Sequence, residues 1–383
     1  MDQKRTTAAI GTRRAVLVVS RVLVQQAPGY TSTQHPSVGD RASPPTPSKV
    51  GHTHGSAART QIKGSIAFYA DFFKETAKFD WLRVRTTALE FEPVIRRKWP
   101  AYLEEMRGIA EGAGVELADV LALNVRTEIA FGLFTDGCTM LAWHANQAGD
   151  PAFIAQNWDW RAEQRPNLIA LSIEQDGIPS IKMITEGGII GKIGLNSAGV
   201  GCTLNAIRAI GMDPTRMPCH LALRAALESP SKDAAVATLE KHGVASSCTI
   251  SVADADTGAV SLEWSATDVQ KLFPDATGRL YHSNHYLVDH PGVKDTVYLP
   301  DSIPRVARIR ELTEGLGKGA PSVSDLLSVF KDEKNYPQSI NRAQVDGNRS
   351  ETLFNIICDL RAKKAYITEG RPTKAESNFE FEF

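Results

Sequence analysis

The spacing of apolar residues divides the chain into a helical first third and a strand-rich remainder. Apolar side chains recur every three or four residues across Thr60–Ala77, which predicts an amphipathic helix. A second helix is predicted to begin at Pro100, because proline suits the first turn of a helix. A third is predicted over Leu117–Asn124. Helices therefore dominate the sequence before Thr135.

After Thr135 the pattern changes to short β-prone runs, which turn signals such as Asp176-Gly177 separate. The runs that predict strands are Ala152–Trp158, Leu168–Glu174, Ser180–Thr185, Thr249–Ala253 and Val260–Trp264. A final pair of strands is predicted at Leu353–Asp359 and Lys364–Glu369. Strands this close in sequence pair antiparallel, since a parallel pair needs a crossover of about a dozen residues.

Further helical patterns interrupt the strands and follow them. They lie at Pro218–Glu228, Ser231–His242, Ile303–Leu316 and Ser322–Phe330. The sequence has no internal repeat and no clean break between two domains. This order of elements predicts an α+β fold, with antiparallel sheets and with helices on the outside.

The first 50 residues differ in composition from the rest of the chain. Between Lys4 and Gly39 all the charged residues are basic, and a Pro- and Ser-rich linker follows at Ser37–Lys49. Three interpretations of residues 1–50 stay open: a transit peptide, a disordered tail, or a stretch that is not natural coding sequence. Residues 51–383 are expected to form a single domain.

Composition excludes several function classes. Hydrophobic residues make up 42% of the chain and charged residues 23%, as in globular proteins. The net charge of -1 gives no basic field for nucleic acid. No run reaches the roughly 18 apolar residues of a membrane span. We therefore expect neither nucleic acid nor membrane as a partner.

The cysteines and histidines do not form a recognisable metal or disulfide pattern. The five cysteines include no short-range pair, which favours a reducing compartment over a disulfide framework. Two pairs of histidines lie close together in the sequence, His52 with His54 and His282 with His285. Neither pair is accompanied by cysteines or acidic residues at the spacing of a metal site. No metal is expected.

The dipeptide Gly137-Cys138 offers chemistry beyond that of an ordinary buried cysteine, which is the alternative for a lone thiol. Gly137 has no side chain to shield its carbonyl group from attack. Attack by the Cys138 thiol would move the acyl bond from nitrogen to sulfur, and water would then release Cys138 as a new N-terminus. The pKa of an α-amino group lies near working pH, so Cys138 would carry both nucleophile and base.

Several blocks of sequence resemble the isopenicillin N acyltransferase family and its fungal paralogues, within the N-terminal-nucleophile hydrolases. The blocks are Asp136–Thr139, Gln156–Asp159, Ile184–Gly194, Asn196–Val200, His282–His285 and Thr352–Ile357. Upstream, Gly51–Ala58 and Trp99–Tyr102 also resemble sequences of this family. The resemblance thus runs from about Gly51 to the C-terminus.

The resemblance implies an αββα sandwich, in which two antiparallel sheets face each other and helices lie outside. It also implies cleavage between Gly137 and Cys138 into an α chain and a β chain (138–383) that stay associated. The implied enzyme is a self-processing cysteine hydrolase or acyltransferase, which cleaves or forms amide bonds through an acyl-enzyme on Cys138. Its implied substrates are small amides, β-lactams or acyl-CoA thioesters. Acyl-CoA would be a substrate, and no cofactor is expected.

The resemblance also assigns roles to individual residues. Cys138 matches the nucleophile, Asp159 the aspartate that positions the new α-amino group, and Asn284 the oxyanion residue. Arg349 matches an arginine near the nucleophile, and Ser265 matches a serine linked to processing. Structural alternatives are a strand-end cap for Asp159, a loop residue that fixes its own backbone for Asn284, and a surface ion pair for Arg349.

Some features depart from the family. Asn348 stands where the penicillin enzyme has serine, and Phe379–Phe383 is not a peroxisomal tripeptide of the Ser-Lys-Leu kind. A cytoplasmic location is therefore expected. Two alternatives to the acyltransferase remain: a plain amidase for small acylated amines or peptides, and an unprocessed, non-catalytic paralogue.

Overall fold

Helices occupy the first part of the chain. The computed structural model describes residues 45–130, 137–144, 149–293, 299–317 and 319–383. The first helices are α1 Pro47–Ala57, α2 Arg59–Thr76, α3 Trp81–Leu89, α4 Glu92–Lys98, α5 Pro100–Ala113, α6 Leu117–Asn124 and α7 Arg126–Ile129. Later helices are α8 Cys219–Leu227, α9 Lys232–His242, α10 Ser302–Gly315 and α11 Val323–Phe330. Every helix predicted from apolar spacing is present, with ends that differ by at most one residue.

The strands form two antiparallel sheets. In chain order they are β1 Thr139–His144, β2 Ala152–Arg161, β3 Leu168–Ile173, β4 Ile181–Glu186, β5 Ile193–Asn196, β6 Gly201–Ala206, β7 Cys248–Asp254, β8 Gly258–Trp264, β9 Val269–Leu272, β10 Arg279–His282, β11 Ser350–Asp359, β12 Lys364–Glu369 and β13 Ser377–Glu382. The first sheet has the order β10-β1-β2-β11-β12-β13, and the second runs from β3 to β9 as a meander. All strand pairs are antiparallel, as close sequence spacing predicted.

The two sheets pack face to face, with helices on both outer faces. β2 packs against β6 and β7 across the interface between the sheets. Helices α10 and α11 cover the outer face of the first sheet, while α8 and α9 cover the second. The predicted α+β sandwich is therefore confirmed.

Successive side chains of β1 point to opposite faces of the sheet, so this one strand contributes to two packed layers. Leu141 and Trp143 belong to the apolar cluster beneath α10 and α11. Met140 and Ala142 point the other way and join the main core. This period of two follows from the pleat of a strand, and it fixes which residues near Cys138 face each layer.

The N-terminal boundary differs from the prediction. Helix α1 begins at Pro47, capped by the Thr46 side chain, and Val50 in its first turns is buried. The expected boundary after residue 50 thus falls inside a helix, and the end of the Ser37–Lys49 linker is helical. Residues 1–44 lie outside the described residues, as do residues 131–136, which include Asp136.

A buried carboxylate links the helices to the second sheet. Glu186, at the end of β4, accepts hydrogen bonds from Tyr69 (2.5 Å), Gln164 (3.0 Å) and Arg126 (3.0 Å). It also pairs with Lys192, and both side chains are fully buried. Burial opposes ionisation of Glu186, but Arg126 and Lys192 outweigh it and hold its pKa well below the usual range. The segment from Ile184 to Gly194 therefore contributes a buried ion pair, Glu186 with Lys192, to the core of the fold.

In the described residues, no helix combines the length and the apolar character that crossing a bilayer requires.

Replacing Glu186 with Gln is expected to lower the free energy of unfolding by about 3–5 kcal/mol, because two buried cations lose their shared carboxylate. Urea denaturation of the uncleavable Cys138→Ala protein measures this loss. Glu311→Gln, in a surface ion pair with Arg308, is the control and should leave stability nearly unchanged. Equal losses for the two variants would contradict this account of the core.

Candidate active site

Cys138 lies directly before β1 and is fully buried. Its backbone N–H donates to Oδ1 of Asn284 at 2.8 Å. Its carbonyl oxygen accepts from Nη1 of Arg305 at 2.6 Å. Side chains from distant parts of the sequence therefore hold both backbone polar groups of this residue.

Asn284 connects the two sheets at this point. Its Nδ2 donates to the carbonyl oxygen of Ala206, the last residue of β6, at 3.0 Å. Its backbone N–H donates to Oγ of Ser302 at 2.8 Å, which ties the loop after β10 to the start of α10. The amide of Asn284 is thereby fixed beside Cys138, while Nδ2 carries a second hydrogen for another acceptor.

Arg305 of α10 lies behind the cysteine and is buried. Besides the Cys138 carbonyl, its guanidinium donates to Oγ1 of Thr139 at 2.9 Å and to Oδ1 of Asn284 at 2.8 Å. Its Nε donates to Asp301 at 3.1 Å. The planar five-donor group of arginine makes such simultaneous contacts in fixed geometry.

Asp159 lies near the end of β2 and is fully buried. Its Oδ2 accepts from Nε of Arg342 at 3.2 Å, and its Oδ1 accepts from Oγ1 of Thr352 at 2.7 Å. Burial raises the pKa of Asp159 to about 7, although Arg342, Arg305 and the Thr352 hydroxyl all favour its charged form. This carboxyl group can therefore change its charge near neutral pH.

A second aspartate balances the charges. Asp301 accepts from both Arg305 and Arg342. Burial alone would raise the pKa of Asp301, but these two arginines outweigh it and lower the pKa. Arg305, Arg342, Asp301 and Asp159, when ionised, form a cluster without net charge, called below the charge quartet. Buried charges persist only when they are paired in this way.

The structure does not bring Arg349 to Cys138. Its side chain is 51% exposed and donates to Glu75 and Glu163, each at 2.7 Å. The placement of Arg349 near the nucleophile is therefore contradicted, and the alternative of a surface ion pair describes it. Arg305 and Arg342 supply the buried positive charge instead.

Ser265 lies at one end of a polar chain rather than at the thiol. Its hydroxyl contacts Asp268, whose Oδ1 lies 3.0 Å from Nδ1 of His290. Nε2 of His290 lies 3.2 Å from Glu263, whose other oxygen lies 2.7 Å from Nε2 of His282. In the sequence, Asn284 lies two residues after His282. The role of Ser265 in processing stays a prediction.

Sequence reasoning missed Arg305 and Arg342, because a single arginine in a helix or loop carries no sign of burial. It also missed Asn205 on β6, whose side-chain amide is fully buried with no hydrogen bond among the described residues. Burying an unsatisfied amide is costly. Asn205 directly precedes Ala206, whose carbonyl oxygen accepts from Asn284, so this unsatisfied amide belongs to the residue next to that contact.

The histidines have structural partners. Nε2 of buried His54 accepts from the backbone N–H of Gly188 at 3.2 Å, and burial followed by the nearby Arg224 lowers its pKa to about 3. His285 lies against Ser302. Across the part of the chain that the structure describes, no group of three His, Cys, Asp or Glu residues is arranged to hold a metal. The five cysteines are buried and form no disulfide.

Comparison with known proteins places the chain in a family. The family model for acyl-coenzyme A:6-aminopenicillanic acid acyl-transferase matches residues 145–374. The 40 kDa form of acyl-coenzyme A:6-aminopenicillanic-acid-acyltransferase from Emericella nidulans is 40% identical over 343 residues. That match covers 88% of this chain and 94% of the relative.

Solved structures with lower similarity also match. Penicillin V acylase from Agrobacterium tumefaciens is 12% identical with a TM-score of 0.43, over 64% of this chain and 86% of that one. A variant of conjugated bile acid hydrolase from Clostridium perfringens is 12% identical with a TM-score of 0.46, over 64% and 92%.

The extent of the family match and of the 40% identity decides the classification. The chain belongs to the acyl-coenzyme A:6-aminopenicillanic acid acyl-transferase family and is, as the sequence predicted, an enzyme.

Proposed function

We propose that this protein is a self-processing cysteine enzyme in which Cys138 becomes the N-terminal nucleophile and transfers acyl groups from amides or thioesters. The observation that carries the proposal is the hydrogen bond of 2.8 Å between the backbone nitrogen of Cys138 and Oδ1 of Asn284. Cleavage turns this same nitrogen into an α-amino group, so its partner is already in place.

Self-cleavage begins with attack of the Cys138 sulfur on the carbonyl carbon of Gly137. A C–S bond forms, the C–N bond breaks, and the thiol proton passes to the departing nitrogen. Water then hydrolyses the thioester, which leaves a carboxylate on Gly137 and a free thiol on Cys138. Before the acyl shift the nitrogen is an amide and cannot act as a base.

In the cleaved enzyme the α-amino group takes the proton of its own thiol, as in other N-terminal nucleophiles. The thiolate attacks the acyl carbonyl, and an oxyanion forms. The second Nδ2 hydrogen of Asn284 can donate to that oxyanion, an effect typically worth several kcal/mol. Asp159, once ionised, accepts a hydrogen bond from the α-ammonium group. Water or an amine then removes the acyl group from sulfur.

The acyltransferase and the plain amidase differ in the molecule that accepts the acyl group from Cys138. An amine acceptor gives an acyltransferase, for which 6-aminopenicillanic acid and acyl-CoA are the substrates that the Emericella relative suggests. Water as acceptor gives a plain amidase for small acylated amines or peptides.

Cleavage is tested by the intact mass of the purified protein. We expect two chains that separate between Gly137 and Cys138, and a single chain for Cys138→Ala, because the attacking sulfur is removed. A cleaved Cys138→Ala protein would point to an outside protease. A single chain in both would contradict the proposed self-cleavage.

The pH dependence of the cleaved enzyme tests Asp159. Activity should fall on the acid side with a midpoint at or below about pH 7, since the carboxyl group becomes neutral there and the nearby α-ammonium favours its charged form. Thr352→Val removes a hydrogen bond to the carboxylate, so its pKa rises and the midpoint of kcat/KM moves to higher pH.

The matched control is Thr368→Val on β12, whose hydroxyl donates to Asn378 at 2.9 Å. Its midpoint should stay at the parent value. A midpoint that Thr352→Val leaves unchanged would exclude Asp159 as the titrating group.

The acceptor is tested by giving the cleaved enzyme phenylacetyl-CoA with and without 6-aminopenicillanic acid. A transferase forms the amide product, whereas an amidase releases phenylacetic acid at the same rate with or without the amine. Chromatography of the products separates the two results. The amide product is the expected result, because the family model describes an acyl-transferase.

A further inference from the structure

One carboxylate of the second sheet holds both ends of the segment 282–290, called below the Asn284 loop. This carboxylate belongs to Glu263, which lies near the end of β8 and is fully buried. Its Oε1 accepts from the backbone N–H of Leu287 at 2.7 Å and lies 2.7 Å from Nε2 of His282. Its Oε2 lies 3.2 Å from Nε2 of His290. Glu263 therefore ties the loop to the second sheet at its first, middle and last residues.

The groups around Glu263 are hydrogen-bond donors. Nδ1 of His282 lies 2.9 Å from the carbonyl oxygen of Ser283, and Nδ1 of His290 lies 3.0 Å from Oδ1 of Asp268. Each ring thus has an acceptor oxygen at both nitrogens, which suits an imidazolium that donates from both. Burial opposes ionisation of Glu263, but the hydrogen bonds from His282 and His290 help to outweigh it and lower its pKa. The position requires two acceptor oxygens and no donor.

The loop that Glu263 holds supplies the amide beside Cys138. Asn284 lies between the loop residues that Glu263 binds, and its side chain joins the backbone nitrogen of Cys138 to the carbonyl oxygen of Ala206. Ser302 fixes the backbone of Asn284 from the side of α10, and Glu263 fixes the loop from the side of β8. The position of a reacting group matters greatly, since a misplacement of about 1 Å can reduce a rate about 100-fold.

We infer that Glu263 is a positioning residue, whose carboxylate holds the Asn284 loop so that the amide of Asn284 reaches Cys138 in self-cleavage and in turnover. The inference rests on the proposed function, because it assumes that both reactions use this amide. Glu263 acts through Asn284 and not on the reacting atoms. If Glu263 only filled space, an uncharged side chain of the same shape would serve equally well.

Self-cleavage gives the first test. Glu263→Gln keeps the shape but replaces one acceptor oxygen with an NH2 group, which then faces a donor of His282, Leu287 or His290. Glu263→Asp keeps both oxygens but is shorter by one CH2 group. Time courses of intact mass should show Glu263→Gln cleaving at least about 10-fold more slowly than the parent, with Glu263→Asp between the two. Glu263→Gln that cleaves at the parent rate, or faster than Glu263→Asp, would overturn the inference.

Turnover by the cleaved enzyme gives the second test. With phenylacetyl-CoA, Glu263→Gln should lower kcat at least about 10-fold and leave KM within about twofold, because the oxyanion that Asn284 binds exists only in the reacting state. If Glu263→Gln yields too little cleaved enzyme, Glu263→Asp is measured and should show the same pattern with a smaller loss. A raised KM at an unchanged kcat would contradict the inference.

The matched control for both tests is Glu105→Gln on α5. Glu105 is also a buried carboxylate, and Arg224 of α8 donates two hydrogen bonds to it, each at 2.9 Å. Loss of this partner should lower the midpoint of urea denaturation, yet leave the cleavage rate and kcat at the parent values. If Glu105→Gln slowed both reactions as much as Glu263→Gln, general loss of stability would explain the effect and the inference would fall.

Hydrogen exchange tests the position of Asn284 without catalysis. In the Cys138→Ala protein, the backbone N–H of residue 138 should keep its hydrogen bond to Asn284 and exchange slowly with deuterium. Adding Glu263→Gln should speed exchange at residue 138 at least about 10-fold, because the bond opens locally, whereas adding Glu105→Gln should not. Mass spectrometry with electron-transfer fragmentation resolves the single amide. Equal exchange rates for the two added variants would refute the role of Glu263.

Failure of the proposed function would look different. A parent chain that stays uncleaved removes that function, and the exchange rate at residue 138 alone then decides whether Glu263 positions Asn284. A parent that cleaves and turns over, together with a Glu263→Gln variant of unchanged rates, leaves the proposed function standing and removes only the inference.

Discussion

The charge quartet of Arg305, Arg342, Asp159 and Asp301 is the interaction on which the site around Cys138 depends. Each member is buried, and an isolated buried charge would cost more than the fold can supply. Removal of one partner is therefore far more damaging than the strength of a single ion pair suggests. The quartet is complete only when all four side chains are packed against one another in the folded chain.

Those side chains come from separate elements. Asp159 is on β2, Arg305 is on α10, Asp301 directly precedes that helix, and Arg342 lies in the loop before β11. The sandwich brings them to one end of β1, where Cys138 lies directly before the strand. Arg305 contacts the carbonyl of Cys138 and Arg342 lies beside Gly137, so under the proposed function self-cleavage requires a folded chain. Folding would then come first, cleavage second and catalysis third.

Much of the fold could be predicted from the sequence, because apolar periodicity is a local signal. The predictions failed where that signal is weak. Among the strands in the described residues, the sequence analysis passed over β1, β5, β6, β9, β10 and β13. Three of these, β5, β9 and β10, have only four residues each, too few to show a clear alternation. Helix α1 was not predicted, because Pro47 was assigned to the Pro- and Ser-rich linker although proline also suits the first turn of a helix.

The site was predictable only in part. The predicted residues Cys138, Asp159 and Asn284 do converge, through the quartet and the bond from Cys138 to Asn284. The buried arginines were not predictable, since burial of an arginine depends on partners that are distant in sequence. Arg349 and Arg342 both precede β11, and only the three-dimensional structure shows which one turns inward.

The most direct measurement of the central claim is the site of acylation. Cleaved enzyme mixed with an acyl-CoA is quenched in acid during turnover, and its peptides are mapped by mass spectrometry. The account predicts an acyl group on the sulfur of the peptide that begins at Cys138. Turnover with the acyl group on another residue, or with no acyl group on Cys138, would contradict it.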